Sequence, residues 1–130
     1  MTIEHIRLSQ TARDQLITLK RRTGIQHWNV LCRWALCRSL AEPTPPPTIK
    51  LVLDSNVEMN WRTFSGDLGD VLWGLVRLRC HNDRLPLDEE TLALQFRLHL
   101  HRGIGYLVGD QRLSDVAGLA TIGLSESPAA

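Results

Sequence analysis

The chain has 130 residues, a formal net charge of +1 and an ordinary apolar share of 43%, which suits one domain with its own core and no need of disulfide staples. No apolar run approaches the roughly 20 residues of a bilayer-spanning helix, and Glu4 with no long apolar stretch behind it predicts no secretory leader. Cys32, Cys37 and Cys80 are an odd number at no scaffold spacing, which reads as free thiols in a reducing cytoplasm.

The elements read in chain order as strand, helix, tight turn, helix, then two more helices. Ile3 to Leu8 alternates, with Ile6 and Leu8 on one face and His5 and Arg7 on the other, as in a short strand with one buried side. Ser9 is a good N-cap for a first helix in which Ala12, Leu16 and Leu19 recur at helical spacing and Ile17 widens the stripe. Gly24 ends that helix, and Lys20, Arg21 and Arg22 fall in its last turn, where cations also suit the helix dipole. A second helix starts near residues 26–29 and runs to about Ala41. Its expected stripe is Val30, Trp34, Cys37 and Ala41, with Leu31, Ala35 and Leu36 beside it, and so little polar surface implies burial on most sides.

Pro43, Pro45, Pro46 and Pro47 form a stiff connector. Val57 to Phe64 then reads as extended. A third helix is expected from Gly66 or Asp67 to about residues 81–83, with Leu68, Val71, Leu72, Leu75 and Val76 as its apolar set. Asp88, Glu89 and Glu90 favour a fourth helix start, and its core stripe is Leu92, Phe96, Leu100, Ile104 and Leu107, with Gly103 and Gly105 weakening the last turns. The expected fold class is mainly α, a compact helical domain over residues 1–108 that opens in a ribbon-helix-helix-like order, followed by a flexible tail over residues 109–130.

Charge is uneven along the chain. Residues 1–50 hold eight Lys or Arg against three acids, a balance of +5, while the remainder stands at −4. A local basic face is therefore compatible with near-neutrality overall. Arg13 and Lys20, seven apart, share a helical face; Arg21 and Arg22 fan out beside them, and Arg33 and Arg38 extend the set from the second helix. Backbone amides from Ile25 to Asn29, at the start of that helix, suit a phosphate oxygen. The blander reading of the same run is a solvated face with dipole compensation.

Other chemistry-bearing residues form no motif. His99 and His101, two apart, point about 200° apart on a helix and do not share a metal there, so hydrogen-bonding roles are expected and no metal or cofactor is called for. Cys32 and Cys37 are five apart, and Cys37 falls on the expected core stripe. Trp34, Trp61 and Trp73 read as core or interface, with Trp28 near the turn left open. No phosphate loop, carboxylate pair or serine triad is visible, so an enzyme is not expected.

Four stretches carry a resemblance: Ile3 to Ser9, Gln15 to Pro43, Arg79 to Asp83 and Gln95 to Leu107. Together they resemble the DndE family of DNA sulfur modification proteins. The resemblance implies a role in DNA phosphorothioation, in which sulfur replaces a non-bridging phosphate oxygen, alongside separate proteins that include an iron–sulfur protein and a cysteine desulfurase. It further implies a small helical homotetramer that binds double-stranded DNA, preferring nicks, and that does not itself transfer sulfur. By matching charge, the implied DNA-binding positions are Arg13, Lys20, Arg21, Arg22, Arg33 and Arg38, with Gly24 as the helix-turn glycine.

Two other readings compete. In a ribbon-helix-helix repressor, two Ile3–Leu8 strands pair across a dimer and put His5 and Arg7 into the major groove. In a protein-docking scaffold, the apolar second helix and the Leu94/Leu98 flank of the fourth are the docking faces; in the preferred reading those faces close the tetramer.

Overall fold

The computed structural model describes residues 3–110. The expected residue 109–130 tail lies almost wholly outside them. The order is β1 (His5–Arg7), α1 (Gln10–Thr23), α2 (Trp28–Ala41), β2 (Glu58–Asn60), the one-turn α3 (Trp61–Ser65), a 3-10 turn (Gly66–Leu68), α4 (Gly69–Asn82) and α5 (Glu89–Gly109). The domain is mainly helical, with one two-stranded antiparallel sheet.

β1 forms where the alternation placed it, burying Ile6 and, just after it, Leu8. Its partner is β2 of the same chain, in the register His5↔Asn60, Ile6↔Met59 and Arg7↔Glu58. Trp61 N–H donates to the Glu4 carbonyl and Leu8 N–H to the Val57 carbonyl, which extends the pairing at both ends. Arg7 is spent along this ribbon, donating to Glu58 Oε2 at 2.7 Å and to the Ser55 carbonyl at 3.0 Å.

The helix ends follow local chemistry. Ser9 Oγ accepts from Ala12 N–H at 3.1 Å, and Gly24 ends α1 in the left-handed conformation at φ 73°, its N–H on the Lys20 carbonyl. Asp88 caps α5 through Thr91, and those bonds hold its carboxyl below the ordinary carboxylate value. In the expected extended stretch only Glu58–Asn60 is strand, because Asn60 Oδ1 accepts from Thr63 N–H and starts a helical turn at once. The expected third helix is thus preceded by α3 and the 3-10 turn, and begins at Gly69.

The inner face of α2 differs from expectation, and that of α4 uses only part of its apolar set. α2 buries Leu31, Cys32, Ala35, Leu36 and Ser39, while Cys37 and Ala41 are exposed. A helix apolar on most sides carries little periodicity to choose its inner face; packing against α5 chooses it. α4 buries Leu72, Val76 and Cys80, and leaves Leu68, Val71 and Leu75 of the expected set outside. The α5 stripe of Leu92, Phe96, Leu100, Ile104 and Leu107 is buried throughout, as is Leu98. Leu98 therefore offers no docking surface. Trp61 and Phe64 meet Phe96 at centroid distances of 5.4 Å each, and Trp73 meets Trp61 edge-on at 5.6 Å, the tilted geometry that aromatic quadrupoles favour.

Among the described elements, α2 and α5 make the most extensive contact. At their crossing a Cβ on Gly103 would overlap the backbone carbonyl of Ala35. Gly103→Ala is expected to cost about 3 kcal/mol, because backbone gives way less readily than a side chain. Gly105→Ala, where a Cβ meets nothing, is expected to leave stability unchanged or raise it by a few tenths of a kcal/mol up to about 1. Urea unfolding of both variants checks the contrast.

Candidate nucleic-acid interface

The last turn of α1 carries Lys20, Arg21 and Arg22 into the corner made by Gly24 and the start of α2. Lys20 is half-exposed and Arg21 exposed, and neither side chain has a partner among the described residues. Gly24 is exposed with open space where a side chain would stand. His27 begins α2 without a side-chain cap. Of the expected amides, that of Ile25 is already used by Thr23 Oγ1 at 3.2 Å.

The other candidate cations are placed differently. Arg13, half-buried, lies 3.6 Å from Asp14. Arg22 donates to the Val108 carbonyl at 2.7 Å, and Arg38 stacks on Tyr106 with its guanidinium carbon 4.7 Å from the ring centroid, so both reach the C-terminal turns of α5. Arg33 turns to α3 and donates to the Phe64 carbonyl at 3.0 Å. The structure therefore groups Lys20, Arg21 and Arg22 at one corner and sends Arg33 to a different element.

Two arginines that charge counting passed over have larger structural roles. Arg102 donates from Nε to Ser39 Oγ at 2.8 Å, from Nη2 to the Ser39 carbonyl at 2.9 Å and from Nη1 to the Thr44 carbonyl at 2.7 Å. Arg79 donates to the carbonyls of Leu40, Pro43 and Thr44 and pairs with Asp83 at 2.9 Å. Between them they bond the Ser39 and Leu40 carbonyls of the last turn of α2, where helical N–H partners run out, and the Pro43 and Thr44 carbonyls of the connector. The only sequence signal was that both lie in the resemblance-bearing stretches.

Both flagged histidines are structural hydrogen-bonding groups. His99, on α5, lies with Nδ1 2.8 Å from Ser39 Oγ. The same oxygen accepts from Arg102 Nε at 2.8 Å, while His99 Nε2 is buried without a hydrogen-bond partner among the described residues. Burial first, then Arg102 and Arg79, push the His99 pKa down to about 4. His101 donates from Nδ1 to the Arg97 carbonyl at 2.8 Å and accepts Ser9 N–H at Nε2; burial lowers its pKa also. Among the described residues no three His, Cys, Asp or Glu side chains are grouped to hold a metal. Cys32 is buried, and burial pushes its thiol up to about 12; Cys80 is buried and raised for the same reason. Cys37 is exposed, contrary to its expected place on the core stripe.

These features define a small, mainly helical protein in which Lys20 and Arg21, unpartnered among the described residues, share an open corner between two helices. The chain belongs to the DndE family: the family model of the DNA sulphur modification protein DndE matches residues 5–115. Membership implies a role in DNA phosphorothioation. The crystal structure of DndE from Escherichia coli B7A, involved in DNA phosphorothioation modification, is similar at 25% identity and a TM-score of 0.69, over 82% of this chain and 98% of that one. A crystallised mutant DndE shares the fold, with a TM-score of 0.62 at 20% identity over 80% of this chain and 97% of that one. No curated protein matches.

The histidine network has a pH signature. A histidine held neutral in the fold, near 4 against an ordinary 6.5, contributes stability that is complete above the unfolded value and is lost as pH falls through the window between the two. His99 alone is expected to contribute about 3 kcal/mol across that window, with His101 acting in the same direction. Urea midpoints should fall between about pH 7 and about pH 4.5, and His99→Gln should flatten that dependence.

Proposed function

We propose that this chain is the noncatalytic DNA-binding component of the phosphorothioate modification machinery. It acts in the cytoplasm as a homotetramer beside the other proteins of that system, and it engages double-stranded DNA with a preference for nicks. The observation that carries this reading is the α1–α2 corner of a DndE-family chain, where Lys20 and Arg21 have no partner among the described residues. Cations that reach a common surface without intramolecular partners are the groups able to displace counterions from a phosphate backbone. Gly24 adds no side chain in the way. Arg13, Arg22, Arg33 and Arg38 are secondary contributors, since each already has a neighbour within the chain, although a guanidinium has five N–H donors and one internal bond leaves others.

A phosphate-reading corner needs no base code. A nick makes the duplex easier to bend and lowers the deformation cost of docking. The noncatalytic reading is supported by the burial and raised pKa of Cys32 and Cys80, because a sulfur-transferring thiol needs exposure and a lowered pKa. The repressor reading is disfavoured by the pairing of β1 with β2 in its own chain and by the attachment of Arg7 to Glu58. In that mode Arg7 would have to enter the groove, whereas here it is held along the ribbon.

Lys20→Glu combined with Arg21→Glu is expected to abolish binding to a nicked duplex in an anisotropy titration at fixed salt, with oligomeric state unchanged. Neutralising the pair instead, Lys20→Gln with Arg21→Gln, is expected to reduce the slope of log K against log salt by about 1.8, two phosphates' worth. Wild-type affinity in the first variant would remove the site assignment.

A further inference from the structure

The outer face of α4 is apolar where it meets solvent. Leu68, just before the helix, and Val71, Leu75 and Leu78 within it are 50, 59, 40 and 54% exposed. Their spacing of three, four and three residues is that of a helix–helix seam. α4 meets its own core with a different set, Leu72, Val76 and Cys80. Beside the stripe lies a groove of about 330 Å³ between α2 and α4, lined mainly by Cys37, Leu40, Ala41, Leu75 and Leu78.

Gly74 lies on this same face, three residues after Val71 and four before Leu78. A Cβ there meets nothing within 4 Å among the described residues, so their packing does not call for glycine. Glycine inside a helix lowers its stability relative to alanine. Close approach of a second backbone from outside is a physical reason for it.

Charge identifies that second helix. Asp67 and Asp70 stand at the start of the α4 face, and Arg77 and Arg84 at its end. Asp67 is 3.5 Å from Arg62 across open solvent, whereas Asp70, Arg77 and Arg84 have no side-chain partner among the described residues. A helix acidic at one end and basic at the other is complementary to a copy of itself running the opposite way. With Gly74 near the centre of such a crossing, Asp70 falls opposite Arg77 of the second copy and Val71 opposite its Leu75 and Leu78.

We propose that α4 is the seam through which two copies of this chain pair, antiparallel, with Leu68 and Val71 of each seated in the α2–α4 groove of the other. This rests on the reading that the chain self-associates, and it locates one interface of that assembly on α4. The test is light scattering on the full chain, with nicked-duplex titration and thermal unfolding run in parallel. Gly74→Gln is expected to halve the assembled mass or reduce it further, with Tm unchanged or raised. Asp70→Arg and Arg77→Asp are each expected to weaken association on the order of tenfold, and the double reversal Asp70→Arg/Arg77→Asp to restore it. Wild-type mass in Gly74→Gln, or a double reversal no better than either single one, would overturn the seam. Reversals that lower Tm and leave mass unchanged would also overturn it, assigning the charges to the helix dipole alone. A monomeric wild-type chain would overturn self-association and the seam together, while the parallel titration still reads the DNA corner separately.

Discussion

The structure depends on how closely α5 passes under α2. Gly103 leaves no side chain at the crossing, so the α5 backbone reaches the Ala35 carbonyl, and α2, apolar on most sides, sinks its Leu31, Cys32, Ala35 and Leu36 face against it. That approach carries His99 and Arg102 beneath Ser39, in the last turn of α2, where helical N–H partners run out. An arginine has the reach and the fan of donors to close such an end. Arg102 does so from α5 and Arg79 from α4, which ties three helices and the proline connector to one point. Further along, the same crossing places Tyr106 under Arg38 and the α5 terminus beside Arg22.

The consequence for function is a division among cations. Arg7, Arg22, Arg33, Arg79 and Arg102 all donate to oxygens of the chain itself, so the number of basic residues overstates the charge that is free to meet a phosphate. Lys20 and Arg21 stand apart because the α1 terminus is closed by Gly24, whose own N–H takes the Lys20 carbonyl. At that end the backbone makes the cap, so Lys20 and Arg21 are not drawn into it, while Arg22 beside them is held by the Val108 carbonyl. The open corner in a DndE-family chain and the apolar outer face of α4 lie on surfaces that internal packing does not use.

Much of the fold was legible in the sequence where one residue type at one place has a strong local reason. Ser9, Gly24 and Asp88 mark helix ends because capping is settled within a few residues, and the α5 stripe is legible because its apolar residues repeat at one period over many turns. The candidate corner was legible for the same reason, since Lys20 to Gly24 is a single local run. Harder to read were α2 and α4, whose apolar residues outnumber the positions one inner face holds, so pattern alone named Cys37 as core and singled out no inner face for α4. Asn60 likewise stopped the expected extended stretch through a cap that alternation does not register.

By itself, the sequence determined the class of fold, the ends of most of its helices and the existence of a cationic turn, since each depends on interactions a few residues long. Only the tertiary structure decided which faces of α2 and α4 point inward, which strand pairs with β1, and which arginines remain available. Those outcomes depend on residues such as Gly103 and Ala35, or Ser39 and Arg102, that are far apart in the chain and meet only when the helices cross. An arginine carries the same charge whether it caps a distant carbonyl or faces solvent. Only the fold supplies the carbonyl.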